Sequence, residues 1–148
     1  MSSLAFYVHI PYCVRRCGYC DFNTYTPAEL AISNDLSATS RSYIDLVLRE
    51  IEFARTVSTA TVVPTIFFGG GTPTLMESKD LGRVISAIGS HFELDRNAEI
   101  TTEANPDTVT KEKLAELREA GFNRISFGMQ SAVSHVLQAL DRTHNPEN

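Results

Sequence analysis

The sequence of 148 residues has only three cysteines, and all of them lie between Cys13 and Cys20. This odd number of thiols does not fit a disulfide framework. The sequence has no basic tract and a formal net charge of −5, which argues against a nucleic-acid partner. No apolar run approaches the ~20 residues of a membrane span, and the amino terminus lacks the basic region of a signal peptide. Free thiols fit a reducing compartment, so we expect a cytoplasmic protein.

Strand-like apolar runs alternate with helical periodicities along the chain. The predicted strands lie near residues 4–10, 65–68, 99–103 and 124–127, and the predicted helices near 44–54, 78–88, 110–120 and 133–140. This alternation predicts an α/β fold with a parallel sheet and helices outside it. We expect Thr39 or Ser40 to cap the first helix, Ser78 to cap the second, and Gly121 to end the third. The polar segment at about 31–40 is predicted to be a flexible loop.

The unusual motifs each follow a predicted strand. The cysteines follow the first strand, Gly69–Pro73 follows the second, Glu103 ends the third, and Gln130 follows the fourth. Because the carboxyl ends of parallel strands share one rim, we expect these motifs to meet there. No Gly-Lys-Ser/Thr follows the glycines, so they do not form a phosphate loop. Their bare backbone instead lets a small ligand approach closely.

The three cysteines are spaced C-x3-C-x2-C, which suits convergence on one metal centre. Structural zinc sites are closed by four ligands, so a zinc site here would need His9 or a distant histidine. A [4Fe-4S] cluster held by three thiolates leaves one iron without a protein ligand. The residues alone leave both kinds of site open and favour the cluster.

The cysteine run, with Tyr19 before its last cysteine and Tyr-x-His-Ile-Pro before its first, resembles the radical S-adenosylmethionine (SAM) superfamily. Within it, the run is similar to the oxygen-independent coproporphyrinogen III oxidase-like group. The resemblance implies a partial (β/α)6 barrel, of which residues 1–148 would be the first four βα units of a truncated core domain. It also implies that Cys13, Cys17 and Cys20 hold a [4Fe-4S] cluster, whose open iron binds SAM.

The resemblance further implies which residues surround SAM. These are Tyr7, Tyr19, Gly70, Gly71, Thr72, Pro73, Glu103, Gln130 and Arg142. Each residue also has a plainer interpretation: the glycines as a turn, Glu103 as a solvated carboxylate, Tyr7 as core, and Arg142 as a helix-end charge. We expect structural roles for His9 and His144. Arg15 and Arg16 are expected either to be solvated or to help neutralise the cluster.

One position separates two branches of the resembled group. The oxidases carry a fourth cysteine two residues after the third, whereas this chain has Phe22 there, in Cys-Asp-Phe-Asn. The haem-chaperone (HemW) branch has the same Cys-Asp-Phe-Asn. The resemblance therefore implies haem delivery to acceptor proteins, with an electron donor as a further partner and haem as a further ligand. The alternative is oxidative decarboxylation of a porphyrinogen. In either case an electron would cleave SAM into methionine and a 5′-deoxyadenosyl radical.

Overall fold

A computed structural model describes residues 2–30 and 37–147, in which strands and helices alternate as the sequence predicts. The strands are β1 (Phe6–Ile10), β2 (Val62–Gly70), β3 (Glu93–Ala104) and β4 (Arg124–Phe127). The helices are α1 (Ser37–Val57), α2 (Ser78–His91), α3 (Lys111–Glu119) and α4 (Ser134–Ala139), and short 3-10 turns lie at Pro73–Leu75 and Pro106–Thr108. No helix in this part of the chain is long and apolar enough to cross a membrane.

The four strands form one parallel sheet in the order β1-β2-β3-β4. Val8 pairs with Phe68, Phe68 with Thr102, and Thr102 with Ile125, which gives one continuous row across the sheet. Because successive strand residues point to opposite faces, the neighbouring row that begins at Tyr7 faces the other way. The row that begins at Val8 therefore lies on the face that the helices cover, and the row that begins at Tyr7 lies on the opposite face.

The core lies between the sheet and helices α1, α2 and α3. Phe68 and Phe122 are fully buried or nearly so, and their rings meet edge to face with centroids 5.0 Å apart. The predicted apolar face of α2 is buried, as is Leu117 of α3. Gly121 ends α3 with φ of +111°, which confirms its predicted role because only glycine adopts this conformation without strain.

The predicted caps of the first two helices are wrong. Helix α1 begins at Ser37, so Thr39 and Ser40 lie inside its first turns and cannot precede it. Ser78 is the first residue of α2, and its hydroxyl donates instead to Glu116 Oε2 of α3 at 3.1 Å. Of the predicted flexible loop, residues 31–36 lie outside the described residues and residues 37–40 belong to α1.

Candidate functional site

The carboxyl ends of all four strands open onto one cavity of about 280 Å³. Its wall includes the cysteine loop (residues 11–20) after β1 and the glycine loop (residues 69–73) at the end of β2. The end of β3 and the segment after β4 complete it. Of the twelve residues predicted to hold the cluster or SAM, ten line it: Cys13, Cys17, Tyr19, Cys20, Gly70, Gly71, Thr72, Glu103, Gln130 and Arg142. The structure thus brings together residues up to 129 positions apart, because a parallel sheet gathers its loops at one rim.

Two predicted site residues do not line this cavity. Tyr7 lies in a separate groove of about 270 Å³, between β1 and α1, which shares no lining residue with the cysteine cavity. Its ring stacks on Phe67 with centroids 6.1 Å apart, and burial, followed by the charge of Glu103, raises the pKa of its phenol. Pro73 is buried as the first residue of a 3-10 turn.

The cysteine loop is held by backbone hydrogen bonds to the chain that follows it. Tyr25 N donates to Pro11 O at 2.7 Å, and Cys13 N donates to Tyr25 O at 3.0 Å. Cys20 N donates to Cys17 O at 3.0 Å, which turns the loop back on itself. All three cysteines are free, and their thiols face the same cavity.

The placement of the three thiols bears on the kind of metal centre that they could hold. Within residues 2–30 and 37–147, no three His, Cys, Asp or Glu side chains surround a common point suited to one metal ion. A [4Fe-4S] cluster needs no such point, because each thiolate binds a different iron. Both ring nitrogens of His9 are engaged, with Tyr7 Oη at 3.1 Å and Asn23 O at 2.8 Å. His9 is therefore not free to complete a zinc site and has the structural role expected of it.

Cys13 is the buried member of the three thiols. Burial raises the pKa of the Cys13 thiol, and hydrogen bonds from the Thr24 and Thr72 hydroxyls oppose that rise. Thr72 belongs to the glycine loop, so the two motifs meet at this sulfur. A metal ligand must be a thiolate, and these hydroxyls are donors that can stabilise one once the proton has left.

The glycine loop lies against the cysteine loop without room for a side chain. A Cβ on Gly71 would lie 2.5 Å from Tyr12 O, and Gly70 has φ of +109° beside the His9 ring. The amides of the loop are used internally: Gly71 N donates to Ile10 O and Thr72 N donates to Tyr12 O, both at 2.7 Å. Such a loop cannot bind an anion through these amides.

Glu103 is positioned by the same loop. Its Oε2 accepts from Gly70 N at 3.2 Å, and the close approach of Gly69 leaves no space for a Cβ between them. The half-buried carboxylate adds a negative charge to a rim whose glycine-loop amides are already occupied. A carboxylate at this place is an acceptor of the kind that an ammonium group or ribose hydroxyls need.

Arg142 reaches the cavity from the end of α4. Its Nη2 donates to Asn105 Oδ1 and to Gly128 O, both at 2.6 Å, and its Nη1 donates to Cys17 Sγ at 3.3 Å. The Tyr19 phenol also interacts with Arg142 and Cys17, and burial raises the pKa of that phenol while the Arg142 charge lowers it. Gln130 adopts the left-handed region with φ of 60°, which is uncommon for a side chain of its size.

The two arginines of the cysteine loop are neither free nor directed at a thiol. Arg15 Nη2 lies 2.6 Å from Asp141 Oδ1, and an Arg16 guanidinium nitrogen lies 3.1 Å from Glu29 Oε1. These arginines were expected either to be solvated or to help neutralise the cluster. In the structure each is paired with a carboxylate. His144 is buried and its Nε2 donates to Met129 O at 2.9 Å, which agrees with a structural role.

Asn105 is the residue of the site that sequence reasoning missed. Its side chain contacts Arg142 and also donates to Thr72 Oγ1 at 3.3 Å, so it joins the second and third rim loops to the fourth. The available signal was its position two residues after Glu103, at the end of the same strand. Asn is common at strand ends for turn formation, which hides such a role in one sequence.

Sequence and structure comparisons agree on one family. Residues 7–148 match the Radical SAM superfamily. The chain is 43% identical over 141 residues to the haem chaperone HemW of Mycobacterium tuberculosis, covering 95% of this chain and 35% of that protein. It is 35% identical over 147 residues to HemW of Escherichia coli, covering 99% and 37%. The solved coproporphyrinogen III oxidase (HemN) from Escherichia coli, a radical SAM enzyme, matches with a TM-score of 0.82 and 28% identity, covering 97% of this chain and 31% of that one.

The chain spans roughly a third of the length of the curated relatives that it matches. The similarity to HemN extends over nearly all of it and confirms the predicted fold, in which four parallel βα units form part of a barrel.

Proposed function

The chain belongs to the radical SAM superfamily, within its coproporphyrinogen oxidase-like group, and from that premise we propose that Cys13, Cys17 and Cys20 hold a [4Fe-4S] cluster that binds SAM. The observation that carries the proposal is the shared cavity. Three thiols and no fourth line it, beside a loop of occupied amides and a carboxylate. A cluster with three protein ligands keeps one iron open for a substrate.

The chain's own residues would then divide the binding of SAM among the rim loops. The carbonyl oxygens of Gly70 and Gly71, with Glu103, accept hydrogen bonds from the methionyl ammonium or the ribose. Thr72 and Pro73 would hold that loop in place, and Tyr7 is included because of the family resemblance, although it lines a separate groove. Three further residues of the cavity wall are proposed to lie near SAM: Tyr19, Gln130 and Arg142. If these residues hold the cluster and SAM, the cluster would supply the chemistry of one-electron reductive cleavage of SAM, with the electron coming from a donor protein.

We propose that the whole protein delivers haem to acceptor proteins. Support comes from Phe22, which stands where the oxidases carry a fourth cysteine, and from similarity to relatives named as haem chaperones. Phe22 lines the cavity and is 62% exposed, so a thiol there would have faced the same site. Residues 1–148 would be the amino-terminal part of a longer radical SAM core, because the relatives are nearly three times as long. The closely spaced thiols favour the cytoplasm.

A second function has its own support. The similarity to HemN, at a TM-score of 0.82, favours an oxygen-independent coproporphyrinogen III oxidase that decarboxylates propionate side chains. The two functions differ in what the protein retains. A chaperone holds haem, whereas an oxidase releases protoporphyrinogen after each cycle.

The test compares haem titration with coproporphyrinogen turnover on one full-length preparation, after anaerobic reconstitution and analysis of iron, sulfide and zinc. We expect four irons and four sulfides per chain, stoichiometric haem, and negligible decarboxylation with SAM and reductant supplied. Cys17→Ser should lose the cluster and SAM cleavage but keep part of the haem binding. Stoichiometric zinc without sulfide would contradict the cluster. Sustained protoporphyrinogen production without retained haem would favour the oxidase.

A further inference from the structure

The side chain of Arg142 makes its contacts without a carboxylate partner. Its three acceptors are a carboxamide oxygen of Asn105, the carbonyl of Gly128 and the sulfur of Cys17. In the described part of the chain no carboxylate forms an ion pair with it, and its Nε is buried without a hydrogen-bond partner. Arg142 thus contacts the Cys17 sulfur with a positive charge that no directly paired carboxylate offsets, although Glu103 lines the same cavity.

The other two cations near the cysteines differ in this respect. Arg15 is paired with Asp141 at 2.6 Å, and Arg16 with Glu29 at 3.1 Å. Asp141 and Glu29 partly offset these two charges, and water screens both pairs because their side chains are 42–59% exposed. Of these three arginines, only Arg142 donates a hydrogen bond to a cysteine sulfur.

The chain around Arg142 fixes its position from both sides. Asp141, with φ of 54°, ends α4 and lies so close to Gly18 that a Cβ there would be 2.7 Å from its carboxylate. Thr143 donates to Asp107, and His144 donates to Met129 O at 2.9 Å. Consecutive side chains thus bind the cysteine loop and the segments after β3 and β4. The Arg142 side chain is already held by Asn105 and Gly128, so it loses little further conformational entropy when it also contacts the Cys17 sulfur.

We propose that Arg142 raises the reduction potential of the cluster, through its hydrogen bond to the Cys17 sulfur and a positive charge that is not paired with a carboxylate. The inference rests on the proposed cluster and goes beyond a role in binding SAM. Cluster potentials depend on net charge and on hydrogen bonds to the sulfurs. Reduction adds a negative charge to the cluster, so a nearby cation favours the reduced form. Removing the cation should make the cluster harder to reduce.

The test measures the midpoint potential of the reconstituted full-length protein by anaerobic titration, followed by electron paramagnetic resonance, with SAM absent. Leaving SAM out separates this effect from any contact between Arg142 and SAM. Arg142→Gln removes the charge and the geometry of the donor, and Arg142→Lys keeps the charge but not the donor fork. Arg15→Gln is the matched control, because it removes the same charge from an arginine that is already paired.

We expect Arg142→Gln to lower the ratio of reduced to oxidised cluster about tenfold at a fixed potential, which is 59 mV for one electron. Arg142→Lys should shift in the same direction by less, and Arg15→Gln by less than threefold. A change under threefold in Arg142→Gln, or an equal change in Arg15→Gln, would overturn the proposal. If Arg142→Gln holds too little cluster to titrate, Arg142→Lys decides: a shift supports the proposal and its absence overturns it. A wild-type protein without a cluster would instead refute the proposed function.

Discussion

Gly71 shows how a single residue sets the distance between two rim loops. Its amide donates to Ile10 O at 2.7 Å, and its Cα lies so near the cysteine loop that a Cβ would be 2.9 Å from that oxygen and 2.5 Å from Tyr12 O. Both obstacles are backbone atoms of the segment that leads into Cys13. They cannot rotate away, so any side chain at position 71 must push the two loops apart.

We therefore expect Gly71→Ala to destabilise the full-length protein by roughly 2–3 kcal/mol and to reduce cluster retention. The matched control is Gly89→Ala in α2, where the nearest atom is a flexible Leu94 methyl at 3.3 Å. Alanine is favoured over glycine in a helix by about 0.8–1 kcal/mol, so this variant should be neutral or stabilising. Urea unfolding with iron analysis measures both. Equal effects of the two substitutions would contradict the proposed clash.

Strand β4 is the shortest of the four strands, and the side chain just before it supports its pairing with β3. It pairs with β3 only from Thr101 to Ala104. Just before it, Asn123 takes the place of further strand: its Nδ2 donates to Ala98 O, and its Oδ1 accepts from Ile100 N, both at 2.8 Å. The Asn123 backbone amide donates to Ile100 O at 3.0 Å as well. This side chain thus extends the β3–β4 pairing by substituting for backbone groups.

Asn123→Ala should lower the free energy of unfolding by about 1–3 kcal/mol, because two part-buried backbone groups of β3 lose their partners. Asn97→Ala, at an exposed position of the same strand, is the control and should change it by less than about 0.5 kcal/mol. Hydrogen exchange should also speed up at Ile100. If exchange at Ile100 is unchanged in the first variant, Asn123 does not carry this pairing.

At the scale of the whole molecule, both edges of the sheet belong to strands of this chain. The order β1-β2-β3-β4 leaves β4 with a neighbour on one side only among the described residues. Apolar side chains are exposed beside that edge, with Phe127 at 48%, Met129 at 55% and Val133 at 45%. Unpaired strand edges with apolar neighbours invite association between copies. Val133, which was predicted to lie on the apolar face of the fourth helix, instead precedes α4 and is exposed.

We expect residues 1–148 expressed alone to aggregate, or to melt without a cooperative transition. A longer chain of the length of the curated relatives should be monodisperse and unfold cooperatively, since the next βα units would cover β4. Light scattering coupled to size exclusion, together with calorimetry, compares the two. A monomeric segment of 148 residues with a sharp transition would show that β4 needs no cover.

The sequence by itself determined the order of elements and the loops on which the chemistry lies. Alternating periodicities predicted the parallel α/β fold, which the similarity to HemN confirms. Local spacing also located the cysteine and glycine motifs, because the members of each motif lie within eight residues of one another. Short-range rules were less reliable at helix ends: the Ser78 hydroxyl bonds Glu116 of another helix, a competitor that local sequence does not reveal.

Only the tertiary structure decided which charges meet the thiols. Arg142 and Cys17 are 125 residues apart, and Arg15 and Asp141 are 126 apart. Sequence reasoning left the two arginines inside the cysteine loop either solvated or neutralising the cluster, and the structure pairs both with carboxylates. Charge at such a site depends on through-space neighbours within a few ångströms. Those neighbours are set by strand order and by the path of each loop across the rim, which are properties of the packed sheet.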